Sequence, residues 1–188
     1  MGARLVILDR DGVLNHESDE FIKSPAEWHP LPGSLEAVAR LNAAGWRVAL
    51  ATNQSGIARG LMTEADFHAI QRHIDARLAD LGGRIDPVLH SPDGPDSDSP
   101  LRKPRPGMLL EIARRLDVDL ADVPFVGDSA RDLEAARAAG ARPVLVRTGY
   151  GEKTLRTMGI DLADVPVYAD LAAFVDDWLA AHAAGEAP

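Results

Sequence analysis

The stretch Leu5-Val6-Ile7-Leu8-Asp9-Arg10-Asp11-Gly12 decides how this chain is read. Four apolar residues form a strand buried on both faces, and the run ends in two aspartates two positions apart, then a glycine turn. Side chains two apart on extended chain point the same way, so both carboxylates leave the end of one strand together. Two like charges so placed are costly unless a cation or a proton is shared between them. The plain alternative is an Asx-type turn that closes the strand, and this fragment alone leaves both readings open.

Working outward, strand-like runs alternate with helical patterns. Ser34 caps a helix whose apolar positions Leu35, Val38, Ala39 and Leu41 run to a stop at Gly45. Residues 47–51 form a second strand, ending in Thr52-Asn53-Gln54-Ser55-Gly56. Thr63 caps a helix carrying Phe67, Ile70, Ile74, Leu78 and Leu81, and Gly82-Gly83 ends it. Residues 85–90 read as a third strand, and residues 91–104, rich in Pro, Asp, Ser and Gly, as a long loop. Pro106 opens a helix with Leu109, Ile112, Ala113 and Leu116 on one face. A fourth strand over 124–127 precedes an alanine-rich helix stopped at Gly140. Fifth and sixth strands over 143–147 and 165–168 lead to a last helix that buries Leu171, Phe174, Val175, Trp178 and Leu179.

This alternation predicts an α/β fold: a three-layer α/β/α, Rossmann-like, mostly parallel sheet with helices on both faces. A single domain over residues 1–183 is expected, with a frayed tail at 184–188. Ligands in such sheets sit beyond the carboxyl ends of the strands. Asp9 and Asp11 follow the first strand, Thr52 and Asn53 the second, Arg102 and Lys103 the third, and Asp128 the fourth.

Composition narrows the function. The net charge of -9 argues against general nucleic-acid affinity. The absence of cysteine excludes disulfides, a thiol nucleophile and cysteine-based metal sites. No apolar stretch has the length of a membrane span, and residues 1–8 are too short for a signal peptide. A cytoplasmic monomer with no membrane partner is the expectation. Of the 20 basic residues only Lys23, Lys103 and Lys153 are lysine, so a compact point charge at position 103 stands out among arginines.

The strand ends together define a chemistry. Asp9, Asp11 and Asp128 form an oxygen-rich cluster suited to Mg²⁺, which takes a few carboxylates, waters and phosphate oxygens. Thr52 supplies a hydroxyl, the turn from Asn53 to Gly56 supplies backbone N–H groups, and Lys103 a positive charge. That set neutralises a phosphoryl group as it transfers. One carboxylate can attack phosphorus, and the other can protonate the leaving oxygen and then activate water.

The motifs Leu8-Asp9-Arg10-Asp11-Gly12, Thr52-Asn53-Gln54-Ser55-Gly56, Arg102-Lys103-Pro104-Arg105-Pro106-Gly107-Met108 and Gly127-Asp128, with Asp132 four residues on, occur in the order found in haloacid-dehalogenase-like phosphatases. More narrowly, the chain resembles the D,D-heptose 1,7-bisphosphate 7-phosphatases, relatives of the histidinol-phosphate phosphatases. The resemblance covers residues 4–150. It implies Asp9 as nucleophile, Asp11 as general acid and base, and Thr52 and Lys103 as stabilisers of the phosphoryl group. Mg²⁺ would be held by Asp9, the main-chain carbonyl of Asp11 and Asp128, with Asp132 supporting Lys103 or a metal-bound water.

Arg10, Glu17, Ser18, Asp19, Glu20, Asn53, Gln54, Ser55 and Arg102 are expected to bind the substrate, a small phosphorylated sugar that feeds cell-envelope polysaccharide. The family lacks a large cap domain, so loops 15–22, 57–62 and 91–105 are expected to close over it. These phosphatases commonly hold a structural zinc through Cys-x-His and Cys-x-Cys pairs. Here Val88 and His90, then Ser99 and Leu101, occupy those positions. A lone histidine cannot hold a tetrahedral zinc, so none is expected.

Two other readings stand beside this one. Within the same chemistry, the substrate is histidinol phosphate or another small phosphomonoester. From a different class, a response-regulator-like phospho-acceptor also gathers acids, Mg²⁺, a threonine and a lysine at parallel strand ends. That module carries its phosphorylated aspartate after the third strand, where this chain has Leu89-His90-Ser91.

Overall fold

The computed structural model describes residues 4–158 and 162–183; the tail expected to fray at 184–188 lies outside the described residues. In chain order the elements are β1 (Leu5–Leu8), a short 3-10 helix (Pro25–Glu27), α1 (Ser34–Ala43), β2 (Arg47–Asn53), α2 (Glu64–Asp80) and β3 (Val88–Ser91). They continue with α3 (Gly107–Leu116), β4 (Pro124–Gly127), α4 (Ala130–Ala139), β5 (Arg142–Val146), α5 (Gly151–Met158), β6 (Val167–Tyr168) and α6 (Leu171–Ala183). The six strands form one sheet in the order β3-β2-β1-β4-β5-β6, with every neighbouring pair parallel. The three-layer expectation holds.

Period-two alternation divides the apolar residues of β1 between the layers. Val6 and Leu8 join Val48, Leu50 and Val126 against α1, α2 and α6, where Val38, Leu41, Phe67, Ile74 and Phe174 pack. Leu5 and Ile7 join Ala49, Ala51 and Phe125 against α3 and α4, where Leu109, Ile112 and Ala136 pack. Burial on both sides is why β1 tolerates no polar residue before Asp9. Chain order reverses between β1 and β4, which opens the crevice where ligands bind in such sheets.

Several boundaries differ from the expectation for local reasons. Ser34 is the first residue of α1 rather than its cap; Gly33 caps the helix at φ 75°. The Ser34 hydroxyl instead donates to the Leu14 carbonyl at 2.6 Å, tying α1 to the turn after β1. Thr63 does cap α2, through a reciprocal box with Asp66. The third strand begins at Val88, three residues later than periodicity indicates. No long apolar periodicity marks helix α5 in the sequence: it is short, mostly polar outside, and buries only Gly151 and Thr154.

Candidate active site

Asp9 emerges at the reversal point, its backbone N–H bonded to the Val126 carbonyl at 2.9 Å. Lys103 arrives from the far side of the sheet end, and its ammonium is fully engaged. Nζ lies 2.8 Å from Asp9 Oδ1 and 2.7 Å from Asp132 Oδ1, and donates to the Ala51 carbonyl at 2.8 Å. The Asn53 side chain clamps the Lys103 backbone reciprocally: Nδ2 donates to its carbonyl and Oδ1 accepts its N–H, both at 3.0 Å.

Asp132 is consumed by structure. One oxygen faces Lys103, while Oδ2 accepts from the Ser129 N–H and hydroxyl in a capping box that starts α4. Oxygens of Asp9, Asp128 and Asp132 all lie within 4.8 Å of one another. Since Asp132 already has its partners, Asp9 and Asp128 are the carboxylates left to hold an ion.

Asp128 carries the strongest sign of a cation. It is 2% exposed, accepts the Tyr150 N–H at 2.7 Å, and pairs with no cationic side chain among the described residues. Burial, then the charges of Asp132 and Asp9, push its pKa up to about 9. Burial likewise lifts Asp9, despite Lys103, to about 6. A divalent ion on hard carboxylate oxygens relieves this repulsion, so the donors fit Mg²⁺. Two glycines make the room: a Cβ on Gly12 (φ +78) or Gly149 (φ +56) would stand 2.0 Å from Asp128 Oδ2.

Asp11 faces the same cavity but is tied back. Arg10 grips it with two bonds, Nε to Oδ1 at 3.1 Å and Nη2 to Oδ2 at 3.0 Å. Asn15 Nδ2 donates to Oδ1 at 2.8 Å, and Gln54 Nε2 to Oδ2 at 2.9 Å. Burial pushes the carboxyl up, but the Arg10 charge and these hydrogen bonds outweigh it and hold its pKa below the ordinary value.

A cavity of about 190 Å³ joins these groups. Of the residues expected to act, Asp9, Asp11, Thr52, Lys103, Asp128 and Asp132 line it, as do Glu17, Ser18, Asp19, Asn53, Gln54, Ser55 and Arg102. Two expectations need correction. Arg10 is 1% exposed and lies behind the cavity wall, its guanidinium 5.8 Å from the Phe67 ring, so it contacts Asp11 rather than substrate. Glu20 points to solvent outside the cavity, where its carbonyl accepts from Lys23. Asn53 and Gln54 reach the wall, yet their side chains are spent on Lys103, Asp11 and Thr52.

Besides Phe21 and Ile22 of the expected loop 15–22, the sequence does not point to three lining residues: Ser129, Arg131 and Tyr150. The Tyr150 hydroxyl donates to Asp19 at 2.6 Å, joining the acidic loop to the start of α5. The rule that sites gather at strand ends, applied after the fifth strand to Gly149-Tyr150-Gly151, would have found it. Arg102 is 7% exposed and donates to the Asp93 carbonyl at 2.7 Å. Burial lowers its pKa, and the nearby charges of Arg131 and Arg59 lower it further against the opposing charge of Asp93. His90, at the position of the absent zinc ligands, contacts Glu64 at 2.8 Å and stacks on Phe67.

Two carboxylates two residues apart at the end of the central strand, with a threonine, a buried lysine and a further acidic pair around the neighbouring strand ends, are the arrangement of a haloacid dehalogenase-like hydrolase. The model of that family matches residues 3–140, and the chain belongs to it. Within it, the chain is 54% identical to the D-glycero-beta-D-manno-heptose-1,7-bisphosphate 7-phosphatase of Bordetella bronchiseptica, over 94% of this chain and 98% of that protein. It is 52% identical to the Pseudomonas aeruginosa protein of the same name, over 82% and 87% of the two chains. The crystal structure of the Bordetella bronchiseptica phosphatase, complexed with magnesium and phosphate, superposes with a TM-score of 0.92, covering 96% of this chain and 99% of that one. The Burkholderia thailandensis phosphatase, 47% identical, gives 0.73.

Proposed function

We propose that this protein is a Mg²⁺-dependent phosphatase that removes the C7 phosphate of D-glycero-D-manno-heptose 1,7-bisphosphate, giving heptose 1-phosphate and inorganic phosphate. The observation that carries this reading is Asp9 within bonding distance of Lys103 beside Asp128, which has no cationic partner among the described residues, in a chain more than half identical to phosphatases of that name. The buried Arg102 and the exposed Arg131, both lining the cavity, support a substrate with a second phosphate, because positive charge gathered on one rim favours an anion.

An Asp9 carboxylate oxygen attacks phosphorus in line, and the bond from phosphorus to the C7 oxygen breaks. Asp11 gives its proton to that leaving oxygen. Phosphate docked against Asp9 adds negative charge beside Asp11, which raises its proton affinity from the low value of the free site. Water then attacks the aspartyl-phosphate, Asp11 takes a proton from it, and Asp9 is released with inorganic phosphate. Lys103 and the Thr52 hydroxyl offset charge on the phosphoryl oxygens throughout. Asp9, Asp128 and the Asp11 carbonyl would hold Mg²⁺, which supplies charge neutralisation between carboxylates and phosphate.

The test is phosphate release from the heptose bisphosphate, histidinol phosphate and a generic phosphomonoester. The bisphosphate should be preferred by at least about tenfold in kcat/KM, a discrimination of about 1.4 kcal/mol. Equal rates on all three would remove the narrow assignment.

A further inference from the structure

Gln54 is 5% exposed and Thr52 1% exposed, and they share one buried hydrogen-bond chain with Arg10. Arg10 Nη2 donates to Gln54 Oε1 at 3.0 Å. A guanidinium has no lone pair to offer, so the amide oxygen must face Arg10 and the amide nitrogen must face the other way. That nitrogen spends its two hydrogens on Asp11 Oδ2 at 2.9 Å and on Thr52 Oγ1 at 3.0 Å. Thr52 therefore accepts from Gln54, and its own hydroxyl hydrogen finds no acceptor among the described residues. It faces the cavity that Asp9 and Lys103 also line.

We infer that Arg10 and Gln54 are positioning residues that set the direction of the Thr52 hydroxyl: Arg10 fixes the Gln54 amide, and the amide forces Thr52 to donate into the cavity. The inference rests on the phosphatase reading and assigns Gln54 and Arg10 roles other than substrate contact. A hydroxyl is free to rotate and is a poor electrostatic stabiliser until its hydrogen is aimed. An aimed donor costs no reorganisation when charge develops on the transferring phosphoryl group. The arrangement also keeps the Asp11 oxygen as acceptor and the Thr52 oxygen as donor through one shared amide.

The experiment compares Thr52→Val, Gln54→Leu and the double variant, with Gln54→Glu as a second probe, by phosphate release from the heptose bisphosphate. Thr52→Val and Gln54→Leu should each lower kcat by about 10²-fold, the order of one lost oxyanion donor, with KM moving less than about threefold. The double variant should be no more than about tenfold slower than Thr52→Val alone, because residues acting through one another are not additive. Gln54→Glu at pH 8 keeps the Arg10 contact but has no N–H to donate. It should lose at least as much kcat as Gln54→Leu, and it decides the matter if the leucine variant does not fold.

Losses that multiply in the double variant, or a Gln54→Glu enzyme within about threefold of wild type, would overturn the inference. Absence of turnover in the wild type would instead count against the functional reading.

Discussion

Lys103 Nζ lies 2.7 Å from Asp132 Oδ1 with both side chains all but sealed from solvent, at 2% and 1% exposure. Burial alone would lower the lysine's pKa, yet Asp132 and Asp9 hold it above the ordinary lysine value. The ammonium is therefore a permanent charge, aimed by two acids and one carbonyl. Lys103→Met would leave both acids buried without their cation. We expect a loss of about 3–5 kcal/mol in stability, read by urea denaturation of the metal-free protein at neutral pH. A variant as stable as wild type would show that the pair is neutralised by a shared proton instead.

Asp9→Asn preserves the size of the side chain but leaves no oxygen able to attack phosphorus. Turnover should fall by at least about 10³-fold while the thermal midpoint stays level or rises, since one member of a repelling acid pair is gone. Phosphate release and a melting curve check both parts. Activity near wild type would rule out an aspartyl-phosphate at this position.

The acid pair also predicts a pH dependence. Asp128 at about 9 and Asp9 at about 6 both lie above the ordinary 3.8, so the folded protein holds protons that the unfolded chain has released. Their stabilising contribution is complete below about pH 4 and is lost as pH rises through the folded values. With a chelator present, the melting temperature should fall between about pH 5 and pH 9. Asp128→Asn should flatten that decline. Mg²⁺ at a hundredfold excess over its Kd should restore about 2.7 kcal/mol at the alkaline end and nothing in acid, where the ligands are protonated. A flat wild-type profile without metal would contradict the cluster's electrostatics, and chelation that leaves turnover intact would contradict its metal role.

Gly12→Ala tests the fit around Asp128. The new Cβ would press on Asp128 Oδ2 and the backbone would have to hold φ +78. The left-handed conformation alone costs about 1–2 kcal/mol. Mg²⁺ affinity should also fall by at least about tenfold, of the order seen when groups that orient metal ligands are disturbed. Titration of Mg²⁺ against melting temperature separates the two effects. Unchanged affinity would mean that Asp128 does not need its observed position.

The order of strands and the main acids could be read from the chain because both depend on local rules. Leu5–Leu8 can only be a doubly buried strand, and the ends of parallel strands are where Asp9, Thr52 and Asp128 must meet. Side-chain direction was not legible. Arg10 sits between two cavity-facing aspartates, and alternation alone turns it inward; the motif invites a substrate role that burial denies. Gln54 looks like a turn residue that offers a polar tip to substrate, but its partners Arg10 and Asp11 are 44 and 43 positions away. Helix α5 escaped because its short amphipathic face is judged only against Leu133 and Leu145, which the fold supplies.

The clamp of Asn53 on Lys103 has one more consequence. Two hydrogen bonds from one side-chain amide fasten the lysine's backbone to the end of β2 as if it were a further rung of the sheet, although it rides at the end of a long connection. The place of the Lys103 backbone is thereby set by Asn53 rather than by the course of the connection that precedes it. The rivet, rather than the strap it fastens, is the part that must not change.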